Sequence, residues 1–290
     1  MTEKDLESLK VKALEIGDVN ATLELSDYYI EIEKPDLAFQ VVYRAALKLY
    51  PSAERRLGYF YEKGIGTDVD YAKAFALYQS SASRGDNKAK HNLGLLYVHG
   101  LGCEKDEKLG FSLIKEAADN QDIKALITLA KLYEKGLGIE RDEKAYYACL
   151  TKAKELGARN IYHLLGYSSY VGLGTEQDYR RAFDYFVAGS EMNDEQCDYY
   201  LGIMYSKGQG VEKDDSKASY WYMQGANKGD GRAMYNLAMC YEKGLYLPKD
   251  LHKACFWYQK ASEKGIDKAK DRLDAISPEE EEKPIVQKSS

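Results

Sequence analysis

The sequence predicts an all-α solenoid of helix-turn-helix repeats. Three series of residues carry the prediction. Leu57, Leu93, Leu129, Leu165, Leu201, Leu237 and Leu273 each follow the previous leucine by 36 residues. Gly64, Gly100, Gly136, Gly172, Gly208 and Gly244 keep the same step, as do Asp70, Asp106, Asp142, Asp178, Asp214 and Asp250. A fixed period of this length is the mark of a repeat architecture in which each unit meets mainly its neighbours. A chain of 290 residues could hold two ordinary domains, but the period argues for one elongated array.

Composition narrows the function. A hydrophobic fraction of 44% suffices for a continuous core, and a net charge of −6 gives no reason to expect nucleic acid or an anionic membrane as partner. No stretch approaches 18 continuous apolar residues, so no transmembrane helix is expected. The opening Met1-Thr2-Glu3-Lys4-Asp5 has no basic start followed by an apolar run, so no secretory signal is visible. The five cysteines are odd in number and form no recurring pair, which fits reduced thiols in a cytoplasmic protein. Cys197 falls in the column of Ala53, Ala89, Ala125 and Ala233 and reads as a small core residue.

Residues 1–17 read as an N-terminal capping helix. Leu6, Leu9, Ala13 and Ile16 share one side of a helix over 3–16, behind Thr2 as N-cap. Residues 18–50 form an atypical unit. Ala21 to Ala53 spans 32 residues, and a turn from Glu31 to Pro35 replaces the glycine loop. That length is closer to a tetratricopeptide unit, and terminal repeats are commonly irregular.

Six regular units fill 51–267. In the first, Ala53, Leu57, Gly58 and Tyr61 lie on one helical face. The glycine or alanine after each leucine is tolerable mid-helix where another helix must come close. Gly64 is placed for a left-handed C-cap, and Asp70 and its equivalents for N-caps of the second helix. The second helices are expected to bury Leu77-Tyr78, Leu113-Ile114, Cys149-Leu150, Tyr185-Phe186, Trp221-Tyr222 and Trp257-Tyr258. They end at Gly85, Gly157, Gly229 and Gly265, or at Gln121 and Asn193. In the last unit Tyr246 replaces the second loop glycine. Residues 268–277 read as a C-terminal capping helix, with polar Asp274 after Leu273, and 278–290 as a disordered acidic tail.

Two helices, a G-x-G loop, an aspartate before the second helix and an aromatic pair within it resemble the Sel-1-like repeat family, a relative of the tetratricopeptide repeat. The match is strict over 51–267 and loose over 3–276. The resemblance implies a right-handed superhelix acting as an adaptor or scaffold for other proteins. Some secreted bacterial members carry a cysteine pair in nearly every repeat and are described as penicillin-binding or weakly lactam-hydrolysing. This chain lacks the pairs.

The G-x-G loops follow helices, not strands, so capping explains them better than a phosphate cradle. His91, His99, His163 and His252 form no metal motif, and no nucleophile elbow appears. No catalytic residue, metal or cofactor is expected. The informative columns are those that vary. Two before each leucine stand Arg55, His91, Ile127, His163, Tyr199 and Tyr235. Two after stand Tyr59, Leu95, Lys131, Tyr167, Ile203 and Met239. From these the candidate binding residues on the concave face are Arg55, Tyr59, His91, Leu95, His163, Tyr167, Tyr199, Ile203, Tyr235 and Met239. They offer a basic end at Arg55 and an aromatic end at Tyr199 and Tyr235. The alternative is that superhelical curvature packs them against adjacent first helices. The expected function is a non-enzymatic scaffold binding a protein or extended peptide in the groove. A hydrolase acting on cell-wall-like or lactam substrates, resting on the resemblance alone, and a toxin-neutralising immunity protein stand as alternatives.

Overall fold

The computed structural model describes residues 2–276, and every regular element among them is helical. Helix α1 (Glu3–Lys10) runs into a π-helical segment, Val11–Ile16. The atypical pair is α2 (Val19–Glu31) and α3 (Pro35–Ala46). Three regular pairs follow: α4 (Pro51–Lys63) with α5 (Tyr71–Ser83), α6 (Asn87–His99) with α7 (Glu107–Asp119), and α8 (Ile123–Lys135) with α9 (Glu143–Glu155). Then come α10 (Tyr162–Val171) with α11 (Tyr179–Glu191), α12 (Glu195–Lys207) with α13 (Asp215–Lys228), and α14 (Gly231–Lys243) with α15 (Leu251–Glu263). Helix α16 (Asp267–Ala275) is last among the described residues. The chain divides into two compact units, one ending at Leu156 and one beginning at Gly157.

Local chemistry sets the helix ends. Asp70 accepts the Lys73 N–H at 2.9 Å, and Asp106, Asp142, Asp178, Asp214 and Asp250 cap their helices alike. A second series of caps, not expected from the sequence, starts the first helices: Asp86, Asp122, Asp194 and Asp230, with Asp18 before α2. Helix α4, behind Tyr50, lacks one, and so does α10. The latter starts behind Ile161 with no side-chain cap, and Ala158 stands where the aspartate would be. Gln121 and Asn193 take the left-handed backbone that glycine supplies elsewhere.

Close approach explains two glycine columns. A methyl group on Gly58 would lie 2.8 Å from the Tyr78 ring, so the paired helices need a bare backbone there. Gly102, at φ +70°, sits against the Tyr71 carbonyl at the start of the preceding repeat's second helix. The loop of one repeat is thereby seated on its neighbour. Edge-to-face ring pairs Phe39–Tyr61, Phe75–Tyr97, Phe111–Tyr133 and Phe183–Tyr205, with centroids 5.3–5.7 Å apart, add a second contact between neighbours.

The leucines from Leu57 to Leu237 are all buried, and Leu273 on α16 is only half-buried, with Asp274 beside it exposed. Two expectations need correction. Of each pair in the second helices only the later residue is fully enclosed; Leu77, Leu113, Cys149, Tyr185, Trp221 and Trp257 are half-buried. Neighbours on a helix point about 100° apart, so one core line cannot take both. Residues 3–16 are also not one α-helix. The wider π turns rotate the register, which leaves Leu9 and Ala13 buried but Ile16 71% exposed. The expected tail, 278–290, lies outside the described residues.

Candidate functional site

In the first unit α4, α6 and the start of α8 surround a cavity of about 650 Å3. Three of the predicted residues line it: Arg55 and Tyr59, one turn apart on α4, and His91 on α6. Arg55 Nε donates to Asp86 Oδ2 at 2.9 Å, while Asp86 Oδ1 accepts the Ala89 N–H at 3.0 Å. One carboxylate thus caps α6 and clasps the preceding repeat. Arg56, also on the wall, is held by Asp27 of α2. His91 is buried, with Nε2 2.9 Å from Thr128 Oγ1. Burial pushes its pKa below the usual histidine range; nearby Lys124 adds to this, and Asp122 and Glu62 only partly oppose it. The ring is therefore neutral at pH 7. Tyr59 is 41% exposed. Lys88 and Lys124 complete the wall, both exposed. Leu95 is half-buried and stands outside the lining.

The other six predicted residues belong to the second unit. His163 Nδ1 lies 2.6 Å from Asp194 Oδ2, the N-cap of α12, which repeats the Arg55–Asp86 arrangement at the same 31-residue separation. Burial alone would raise the Asp194 carboxyl. Its bonds to His163, the Gln196 N–H and the Cys197 thiol hold it below the usual range instead. Tyr199 lies under the Arg232 guanidinium, 4.3 Å from the ring centre, and Arg232 is fastened to Asp230 at 2.6 Å. The Tyr235 ring is 5.5 Å from that of Tyr258. Tyr199, Ile203, Tyr235 and Met239 are half-buried against the core cluster around Leu237. Tyr167 alone of the six is exposed, at 40%, with its ring 5.8 Å from Tyr200.

His163, Asp194 and Cys197 invite a comparison with nucleophilic catalysis, and the order of contacts speaks against it. The carboxylate stands between ring and thiol, so the histidine does not serve as base to the sulfur. Cys197 is fully buried, and burial followed by Asp194 and Asp198 drives its thiol pKa far above that of a free thiol. Among the described residues no group of three or more His, Cys, Asp or Glu is placed to hold a metal ion. No helix among them is long and apolar enough to cross a membrane.

Sequence reasoning missed Asp86, Asp194, Lys88, Lys124 and Arg232. A signal was present: two residues after the first-helix N-caps Asp86, Asp122 and Asp230 stand Lys88, Lys124 and Arg232, whereas Gln196 follows Asp194.

The Sel1 repeat model matches residues 51–86, 87–122, 123–157, 162–194, 196–230 and 231–266. This chain belongs to the Sel1 repeat family. The break at 158–161 is where α10 starts late. Among solved structures, the Sel1 chain is similar to c5321, a protective antigen present in uropathogenic Escherichia coli strains. The two are 31% identical at a TM-score of 0.78, over 93% of this chain and 58% of that one. The chain thus spans 58% of the length of that antigen. It is also similar to a Sel1 repeat protein from Oxalobacter formigenes, at 28% identity and TM-score 0.72, over 83% of this chain and 96% of that one. No curated protein matches it. Sel1 repeat proteins are generally scaffolds for protein interaction and typically non-enzymatic.

Proposed function

We propose that this Sel1 repeat chain is a non-enzymatic cytoplasmic scaffold that docks a protein or an extended peptide on the varying faces of its first helices. One observation carries the proposal. Apart from the N-cap Asp122, the cavity between α4, α6 and α8 is lined by residues whose columns vary from repeat to repeat, and it exposes Tyr59 beside charged side chains. Core columns recur because each interface is alike; a lining that changes from repeat to repeat is free to fit a partner. Five free thiols, two of them buried, suit a reducing compartment.

Crosslinking of the chain in its native cell with an added bifunctional reagent, the crosslinked residues being mapped by mass spectrometry, tests this. It is expected to trap a protein in the soluble cytosolic fraction. Tyr59→Ala is expected to abolish capture with unchanged helical circular dichroism, since an aromatic anchor typically contributes about 2 kcal/mol or more. Undiminished capture by Tyr59→Ala, with crosslinks mapping to the loops around Gly100 or Gly172, would overturn the assignment of this face.

A further inference from the structure

We infer that the cavity of the first unit takes an acidic peptide segment, with one carboxylate on Lys88, another on Lys124 and a side chain laid against Tyr59. The inference rests on the docking role proposed above and names its partner chemistry. In a chain of net charge −6, Arg55, Arg56, Lys88 and Lys124 line the wall with one carboxylate, Asp122, while Asp86 and Asp27 hold Arg55 and Arg56 from outside the lining.

Asp86, the N-cap of α6, and Asp27 within α2 settle which of these charges are paired. In α14, Asp230 caps the helix and also binds Arg232, two residues further on, at 2.6 Å. Lys88 follows Asp86 at the same distance in sequence. There the second carboxylate oxygen is taken by Arg55, so Lys88 is left over. Lys124 follows Asp122, which caps α8 through the Ala125 N–H at 2.8 Å. Among the described residues neither lysine has an ion-pair partner, whereas Arg55 and Arg56 have theirs. His91, deprotonated by burial, adds no charge. Two exposed ammonium groups therefore share a concave wall with the exposed ring of Tyr59, which has no ring partner among the described residues. Carboxylates meet the ammonium groups, and the chain between them covers the ring. Exposed ion pairs are individually weak and screened by salt, so Tyr59 supplies the apolar share of the contact.

The test is fluorescence anisotropy of a short labelled Glu-rich peptide carrying one tyrosine, against the same peptide with Gln for Glu, using the full chain. The Glu peptide is expected to bind, with affinity falling as salt rises from about 50 to about 300 mM, and the Gln peptide to bind about tenfold or more weakly. Lys88→Glu with Lys124→Glu should lose the Glu peptide and gain a Lys-rich one, a swap that damaged folding cannot mimic. Lys207→Glu with Lys243→Glu, which makes the same change of net charge in the second unit, should leave binding of the Glu peptide unchanged. Equal binding of Glu and Gln peptides, or loss in the Lys207/Lys243 control, overturns the inference. So does displacement by an equal concentration of inorganic phosphate, which would mark a general anion site. Tyr59-dependent capture of a cellular protein, without binding of the Glu peptide, would remove this inference and leave the docking role standing.

Discussion

His91 shows how one residue can serve packing and still report on pH. Its ring is buried, bonded to Thr128 and held neutral, chiefly by burial. Asp122, Lys124 and Glu62 are the charged groups around it. In the unfolded chain the same ring takes a proton near pH 6.5. The folded pKa is the lower one, so this contribution to stability is complete above about pH 6.5 and is lost as pH falls through the folded value. Urea titrations of the wild type are expected to show a slope over that window of at most about 1.4 kcal/mol per pH unit from this group. His91→Gln should flatten it. An identical pH slope in the variant would mean that the ring does not titrate on unfolding.

At the scale of the element, the loop glycines lock one repeat onto the next. Gly85 and Gly102 both have left-handed backbone, but nothing lies within 4 Å of a methyl group placed on Gly85, whereas one on Gly102 meets the Tyr71 carbonyl. Gly85→Ala should therefore cost only the conformational penalty of about 1–2 kcal/mol. Gly102→Ala should cost that plus overpacking of about 1–3 kcal/mol, because backbone cannot step aside as a flexible side chain can. Denaturant midpoints compare the two. Equal losses would show that the loop is not seated against α5.

At the scale of the whole molecule, each compact unit has its own buried clusters, around Leu57 and Leu93 in the first and around Leu201 and Leu237 in the second. The first helix of the second unit buries Leu165 but carries serine at two positions where the other repeats place larger side chains. Ser168 stands in the column of Phe60, Leu96, Leu132 and Met204, and Ser169 in the column of Tyr61, Tyr97, Tyr133 and Tyr205. Both hydroxyls are buried without a hydrogen-bond partner among the described residues, an arrangement that costs about 1–3 kcal/mol per group. Because coupling in such arrays runs between neighbours, the two units are expected to unfold as separate steps. Hydrogen exchange read peptide by peptide in urea should show Leu129→Ala weakening only residues up to 156 and Leu201→Ala only those beyond, each by about 2–5 kcal/mol. A uniform loss across all peptides for either variant would mean one cooperative unit instead.

Much of this was legible in order along the chain. The leucine, glycine and aspartate periods determined the helix pairs, their loops and the caps of the second helices, because capping and left-handed turns depend on a few adjacent residues. The alanine column that holds Cys197, and the helix contact demanded by Gly58, followed from the same local logic. The candidate site was legible only in part. Arg55, Tyr59 and His91 share a cavity, but Tyr199, Ile203, Tyr235 and Met239 are half-buried in their own unit's packing. Column variation says that a position is not shared by all interfaces; it does not say whether a neighbouring repeat already covers it. Only the tertiary structure decided that Asp86 binds Arg55 while Asp230 binds Arg232, which leaves Lys88 free and Arg232 engaged. That choice depends on contacts between residues some 31 apart in one case and 2 apart in the other, and which carboxylate oxygen reaches which cation is settled by the distance between helices once they have packed.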